Sequence, residues 1–235
     1  MKKFSIVLMV ALLICLFLSH VVQPAIAADK HKYGGKLVIT SKGAAYNFGV
    51  PTNQGGGGQH HFARMSLEQL VKADPKKPSS HIPWLAESWK LAPDRSYYDF
   101  HLKKGVKFHD GTDFNAQAVK FNHDMVVASK LPFLREIKSI EVIDNYTVRY
   151  NLSAWHSLVF TDFERPEQFI LSPAAYEKQG EKELNNNPVG TGPWIVDRFK
   201  RNSFVFYKKN PNYWEKGLPY LDTIQILFIP DLMTQ

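Results

Sequence analysis

Hydrophobic residues fall into three patterns along the chain: one continuous run near the start, several stretches alternating with period two, and a few recurring at helical spacing. The continuous run, residues 4–18, follows Lys2 and Lys3 and leads through a more polar stretch to Ala25-Ile26-Ala27. A basic start, an apolar centre and small residues at the end make a secretory signal peptide, with cleavage expected after Ala27. The run is shorter than the roughly 20 residues that a spanning helix needs. No later apolar stretch is longer, so the mature chain is read as not membrane-spanning and, with residues 1–27 removed, as periplasmic.

Alternation marks the strands. Leu37-Val38-Ile39 reads as a short buried strand entering a loop rich in Gly, Asn and Pro over residues 41–59, where Gly55 to Gly58 favour no single conformation. In residues 97–108, Tyr98, Phe100 and Leu102 alternate with polar neighbours, and Lys104-Gly105 is the expected turn of a strand pair. Ile140 and Val142 lead to Asp144-Asn145 and then to Val148, Tyr150 and Leu152, which is a hairpin signature. Three more strands are expected around Ile195-Val196, residues 204–207 and residues 224–229.

Helical spacing appears in residues 62–71, ended by Asp74-Pro75. A second helix opens with Asn115 as N-cap and a Phe114–Val119 staple, and carries an apolar stripe of Ala118, Phe121, Met125 and Ala128. A third starts at Ser172-Pro173 and closes at Gly180. Strands and helices are interspersed without strict alternation or internal repeats, so the fold class is mixed α/β.

The formal net charge of +7 falls to +5 without Lys2 and Lys3, and the remaining charges are scattered with both signs. This is not a nucleic-acid surface. Cys15, the single cysteine, lies inside the leading apolar run after Ile14. The mature chain then has no thiol for a disulfide, a zinc site or a nucleophile, and burial alone must stabilise it. There is no G-x-S-x-G, no H-E-x-x-H and no phosphate loop. His60-His61 beside the glycine run is the one pair that evokes a metal, but adjacent side chains on an extended segment point opposite ways. His101 and His109 read as surface or edge residues. The expectation is a protein that is not an enzyme and needs no cofactor.

Three stretches carry a resemblance. They are Ile82-Pro-Trp-Leu-Ala-Glu-Ser-Trp89, the segment from Tyr98 to Ala118, and Pro188-Val-Gly-Thr-Gly-Pro-Trp194 followed by Asn210-Pro-Asn-Tyr-Trp214 and Ile229-Pro-Asp231. In this order they resemble the family 5 extracellular solute-binding proteins, the peptide, nickel and related binders that serve ABC importers. The resemblance implies a fold like the type II periplasmic binding proteins, with a first lobe split between residues 28–65 and 165–235, an α/β subdomain inserted at 66–164, and a second lobe beyond the end of this sequence. It implies capture of peptides, or else of nickel or other metal chelates or another small solute, and delivery to an inner-membrane permease and its ATPase. A complete member is expected to be a monomer. An exported hydrolase is the rival from another class.

The same resemblance supplies site residues. The loop with Tyr46, Asn47 and Phe48 reaches the cleft, and His60 and Phe133 stand where nickel-type members place pocket side chains, typically a Met and a Trp. Arg165 matches an arginine that faces carboxylated ligands. The alternative for Arg165 is a salt bridge with Glu164 or Glu167. Gly190-Thr-Gly192-Pro-Trp194 is expected to make a tight turn into a core strand.

Overall fold

A computed structural model describes residues 32–53, 60–129 and 135–230, with nothing described of the Pro78 side chain. The signal-peptide reading, Gly55 to Gly58 and Phe133 lie outside the described residues. In chain order the elements are β1 (Lys36–Ser41), α1 (His60–Ala63), β2 (Val71–Asp74), β3 (Lys77–Pro83), β4 (Ala86–Leu91), β5 (Tyr97–Leu102), α2 (Ala116–Ala128), β6 (Ile137–Asp144), β7 (Thr147–Leu152), α3 (Pro173–Leu184), β8 (Trp194–Lys200), β9 (Phe204–Lys209) and β10 (Thr223–Phe228). Single 3-10 turns occupy Pro51–Asn53, Val159–Glu164 and Pro166–Gln168.

Two four-stranded sheets and a two-stranded one, β2-β3, organise these elements. The first runs β1-β10-β9-β8, with β1 parallel to β10 and the other pairs antiparallel. A parallel pair requires a crossover, and here everything between the first and last strands provides it. The second sheet, β4-β5-β7-β6, is antiparallel throughout. Its alternation has a clear physical outcome, because Phe100 and Val148 pair on the buried face while Asp99 and Arg149 pair on the other. Arg149 Nε and Nη2 donate to the two Asp99 carboxylate oxygens at 2.8 and 2.9 Å, a bidentate cross-strand bond. The β6–β7 hairpin turns as expected, with Asp144 Oδ1 accepting from the Tyr146 amide at 2.7 Å.

Each four-stranded sheet has its own core. Phe100, Leu102, Phe114, Val148, Tyr150 and Phe163 belong to one, and Phe48, Leu171, Leu184, Trp194, Val205 and Ile224 to the other. Helix α2 touches both. Asn115 Oδ1 caps it by accepting from the Ala118 amide at 3.0 Å, but the buried stripe is Ala118, Val119, Asn122, His123 and Val126, and Phe121 and Met125 turn instead to the second core. The expected stripe was rotated because the helix is buried on two sides rather than one. Asn122 joins them: Nδ2 donates to the Leu171 carbonyl at 2.9 Å and Oδ1 accepts from the Leu171 amide at 3.1 Å.

Strand β1, expected to be buried, forms the edge of its sheet and leaves Leu37, Val38 and Ile39 exposed. Two element assignments fail outright. The helix expected over residues 62–71 stops at Ala63, and the chain from Glu68 onward is extended. Leu67, Glu68, Gln69, Leu70 and Val71 are all buried, so apolar spacing there does not mark one face. Their carbonyls are taken by other segments, with Ile170, Leu85 and Trp84 amides donating to Glu68, Gln69 and Leu70 respectively. Asp74-Pro75 is then the turn between β2 and β3, which pair antiparallel. The second failure is the strand pair over residues 97–108. Strand β5 pairs with β4 and β7, while the chain after Gly105 closes a small loop of its own, where Phe108 donates to Thr112 and Phe114 to Val106. Gly105 does turn the chain, at φ +76°. Helix α3 starts at Ser172 as expected, its Oγ accepting from the Ala175 amide at 3.1 Å, but it resumes after Gly180, a left-handed kink at φ 78°, and runs to Leu184.

Candidate functional site

Short helix α1 is pinned from inside. Tyr207 Oη donates to the Phe62 carbonyl at 3.0 Å, and the Phe62 ring packs edge-on against Phe228 at 5.5 Å. This fixes where Arg64, the residue just past α1, leaves the surface. Arg165 reaches the same place from the 3-10 turn Val159–Glu164. Its Nε donates to Asp162 Oδ1 at 2.7 Å, and its carbonyl accepts from the side-chain amide of buried Gln69. Pro166 follows and fixes the next backbone angle. Arg64, Thr161, Glu164, Arg165 and Pro166 line a groove of about 400 Å³. An adjoining cavity of about 330 Å³ shares Arg64 and Glu164 and adds Gln69, Lys72, Ile82 and Trp84. Lys72 Nζ lies 5.1 Å from the Trp84 ring centroid, a cation over an aromatic face. Glu164 Oε2 is 3.4 Å from His81 Nε2.

The carboxylate that meets Arg165 is therefore Asp162, not Glu164 or Glu167. Glu164 faces His81, and Glu167 is buried. A turn of three residues places Asp162 under Arg165, whereas sequence proximity alone favoured the immediate neighbours.

The remaining expected site residues sit elsewhere or have other duties. Tyr46 stacks under the Arg201 guanidinium, 5.4 Å from the ring centroid. Asn47 adopts φ 50°, a left-handed conformation that Asn tolerates, and lines a cavity of about 770 Å³ with Lys182, Asn186, Asn187, Phe199 and Arg201. That cavity and the Arg64–Arg165 groove share no lining residue. Phe48 is 0% exposed and packs on Phe199 at 5.3 Å and Phe62 at 6.3 Å, so its position in this chain is a core position rather than a cleft wall. His60 opens α1, and its ring stands 4.1 Å from that of His61. The pair is helical, not extended, so the two rings lie together. Burial first, then the neighbouring His61 and Arg64, lower the basicity of His60. Among the described residues no cluster of three His, Cys, Asp or Glu side chains could hold a metal ion, and no helix is long and apolar enough to cross a membrane.

Behind the groove lies a buried carboxylate that sequence reading missed. Glu68 is 0% exposed and accepts from Thr191 Oγ1 at 2.7 Å, Tyr213 Oη at 2.7 Å and Trp214 Nε1 at 2.8 Å. Burial raises its pKa, and the donors from Trp214, Tyr213 and Thr191 oppose that rise. Only its position one residue before Gln69 connects it to the groove, and nothing in a lone Glu inside an apolar stretch announces three distant donors. The Gly190–Gly192 segment approaches the stretch just before Glu68. The Gly192 amide donates to the Ser66 carbonyl at 3.0 Å and the Trp194 amide to the Met65 carbonyl at 3.1 Å. A Cβ at Gly190 would overlap the Ser66 carbonyl. Close approach, not an unusual turn angle, is thus the reason for glycine at 190 and 192, since neither is among the positive-φ residues. His109, expected at the surface, also fits here: Nε2 is 2.9 Å from the Gly192 carbonyl and therefore carries the proton, leaving Nδ1 to accept from the Gly190 amide at 3.4 Å.

Comparison with known proteins gives this geometry a setting. Residues 81–235 match the model of the bacterial extracellular solute-binding proteins, family 5 Middle. A glutathione-binding protein, GsiB, of Escherichia coli O1:K1 / APEC is 41% identical over 197 residues, which cover 82% of this chain and 38% of that protein. The chain thus spans well under half the length of that relative. Among solved structures, the periplasmic binding protein DppA of Helicobacter pylori in complex with the peptide STSA is 28% identical with a TM-score of 0.73, over 87% of this chain and 44% of that one. NikA from Brucella suis in complex with Fe(III)-EDTA is 30% identical with a TM-score of 0.74, over 85% and 40%. The mixed α/β arrangement described above is the fold of these periplasmic binding proteins, and the chain belongs to the bacterial extracellular solute-binding proteins of family 5.

Proposed function

We propose that this chain is the ligand-capturing N-terminal part of a periplasmic substrate-binding component that takes up peptides, glutathione-sized molecules among them, and hands them to an ABC permease with its ATPase. The observation that carries this reading is Arg165, held at a groove by the Asp162 carboxylate on its Nε and by buried Gln69 on its carbonyl. A guanidinium held this way places its charge where a ligand carboxylate, such as a peptide C-terminus, can meet it. Relatives named for binding glutathione and a structural neighbour holding a peptide support the ligand class.

In this reading residues 28–65 and 165–235 form the first lobe, 66–164 the inserted subdomain, and residues 1–27 the export signal. Closure of a second lobe over the ligand supplies the differential affinity that distinguishes open from closed states. The chain alone supplies one wall, so it binds weakly. Titration of the chain with trialanine and with glutathione, followed by ¹H–¹⁵N NMR, tests this: saturable shifts at Arg165 and Gln69 are expected, and their absence at high concentration overturns the assignment of the groove. Tight stoichiometric binding by calorimetry would contradict the two-lobe mechanism.

A second reading, capture of an anionic metal chelate, is favoured by the likeness to NikA bound to Fe(III)-EDTA. The chelate's carboxylates would meet the same Arg165. Addition of Fe(III)-EDTA in the same titration separates the two, since the peptide reading expects peptides to bind more strongly.

A further inference from the structure

We propose that Arg64 is a second anion anchor beside Arg165, and that the groove they line prefers solutes carrying two separated carboxylates over solutes carrying one. This rests on the capture reading above and specifies the ligand chemistry within it. The two guanidinium-bearing residues enter one groove from different elements, Arg64 from the end of α1 and Arg165 from the turn after Val159–Glu164. Both elements are fixed from behind. Tyr207 holds α1 through the Phe62 carbonyl, and Gln69, 1% exposed, holds Arg165 through its carbonyl while also lining the adjoining cavity. The backbone positions from which the two side chains extend are therefore tied to the core.

The charge distribution supports a ligand role for Arg64. Glu164, the acidic residue that lines the groove, stands 3.4 Å from His81, Asp162 sits on Arg165 Nε at 2.7 Å, and among the described residues no ion pair includes Arg64. Lys72, above the Trp84 ring, adds a third cation on the adjoining wall that shares Arg64. A solute with one carboxylate gains a charge-assisted pair with Arg165 and leaves Arg64 to water. A solute with a second carboxylate gains another such pair, and a guanidinium recognises that group with directional bonds where an ammonium offers only a point charge. Pockets of several hundred Å³ take ligands of this size.

The chain is titrated by ¹H–¹⁵N NMR with glutathione, which bears two carboxylates, and with glutathione monoethyl ester, which bears one, in the native sequence and in Arg64→Gln and Arg64→Lys. Glutathione is expected to bind about tenfold more tightly than the ester. Arg64→Gln should close most of the gap between glutathione and the ester, while Arg64→Lys keeps part of it. Arg64 is exposed, so unchanged thermal unfolding of both variants confirms that the fold is intact. Equal affinity of the native chain for acid and ester, or a gap that survives undiminished in Arg64→Gln, overturns the proposal and leaves the capture reading standing. Absence of binding by both probes and by trialanine removes both.

Discussion

Trp214 Nε1 donates to Glu68 Oε2 at 2.8 Å across 146 residues of sequence, and two further donors, Tyr213 and Thr191, converge on the same carboxylate. A fully buried carboxylate is unfavourable alone, and three donors from two distant segments make it a joint rather than a defect.

Replacing Glu68 separates its two contributions. In Glu68→Ala the indole N–H, the phenol and the Thr191 hydroxyl lose their common acceptor inside the protein, and unfolding free energy should fall by about 3–5 kcal/mol. Glu68→Gln keeps one acceptor oxygen for Trp214 and Thr191 and turns its amide toward Tyr213, whose oxygen can accept, so the loss should be about 1 kcal/mol. Urea denaturation followed by tryptophan fluorescence measures both. Equal losses would mean that the cavity, and not the donors, sets the cost.

Two glycines should respond to the same substitution for different reasons. At Gly190 a methyl group would meet the Ser66 carbonyl and, at 2.7 Å, the Leu67 side chain. Backbone on one side cannot yield, and Gly190→Ala should cost about 3–5 kcal/mol. Gly111 has φ +85° with nothing near a new Cβ, so Gly111→Ala should cost only the left-handed strain, about 1–2 kcal/mol. Denaturation midpoints of the two variants give the order directly.

Acid should weaken the fold through His123. Its ring is buried beside Tyr150, neither ring nitrogen has a partner among the described residues, and burial lowers its pKa to about 4, with Asp124 opposing and Lys120 adding to that shift. A group whose folded pKa lies below its unfolded value of 6.5 stabilises the fold above that value and loses the contribution as pH falls toward about 4. The loss amounts to about 3 kcal/mol over that window. Glu68 has a raised pKa, so its own contribution has the opposite slope and partly masks the effect. His123→Leu isolates the histidine: its stability should exceed that of the native chain increasingly as pH drops from 6.5 to 4, and parallel pH profiles would refute the assignment.

The alternating strands that sequence reading found, β5 and β7 among them, are those with one wet face. Asp99 and Arg149 are polar because they meet outside the sheet, so Phe100 and Val148 stand out between them. Caps were equally legible, because Asn115 and Ser172 act on backbone three residues away. Segments buried on every side gave no such contrast, which is why residues 67–71 were misread and Glu68 went unnoticed. The groove was half legible. Arg165 came from a family resemblance, whereas Arg64, Lys72 and Asp162 are brought to it only by the paths of α1, β2 and a 3-10 turn.

Tyr46 and Phe48, expected together at a ligand cleft, should behave oppositely when truncated. Phe48 is fully enclosed between Phe62 and Phe199, so Phe48→Ala removes a ring from a core with no room to relax and should cost about 3–5 kcal/mol. Tyr46 is 40% exposed and makes a cation–π pairing with Arg201, worth about 0.5–1 kcal/mol at such a site. Thermal unfolding should therefore register Tyr46→Ala far less than Phe48→Ala. If Tyr46 faces a bound solute, its truncation instead weakens glutathione binding while leaving stability intact, and the combination of unchanged stability with unchanged binding would exclude the loop from the site.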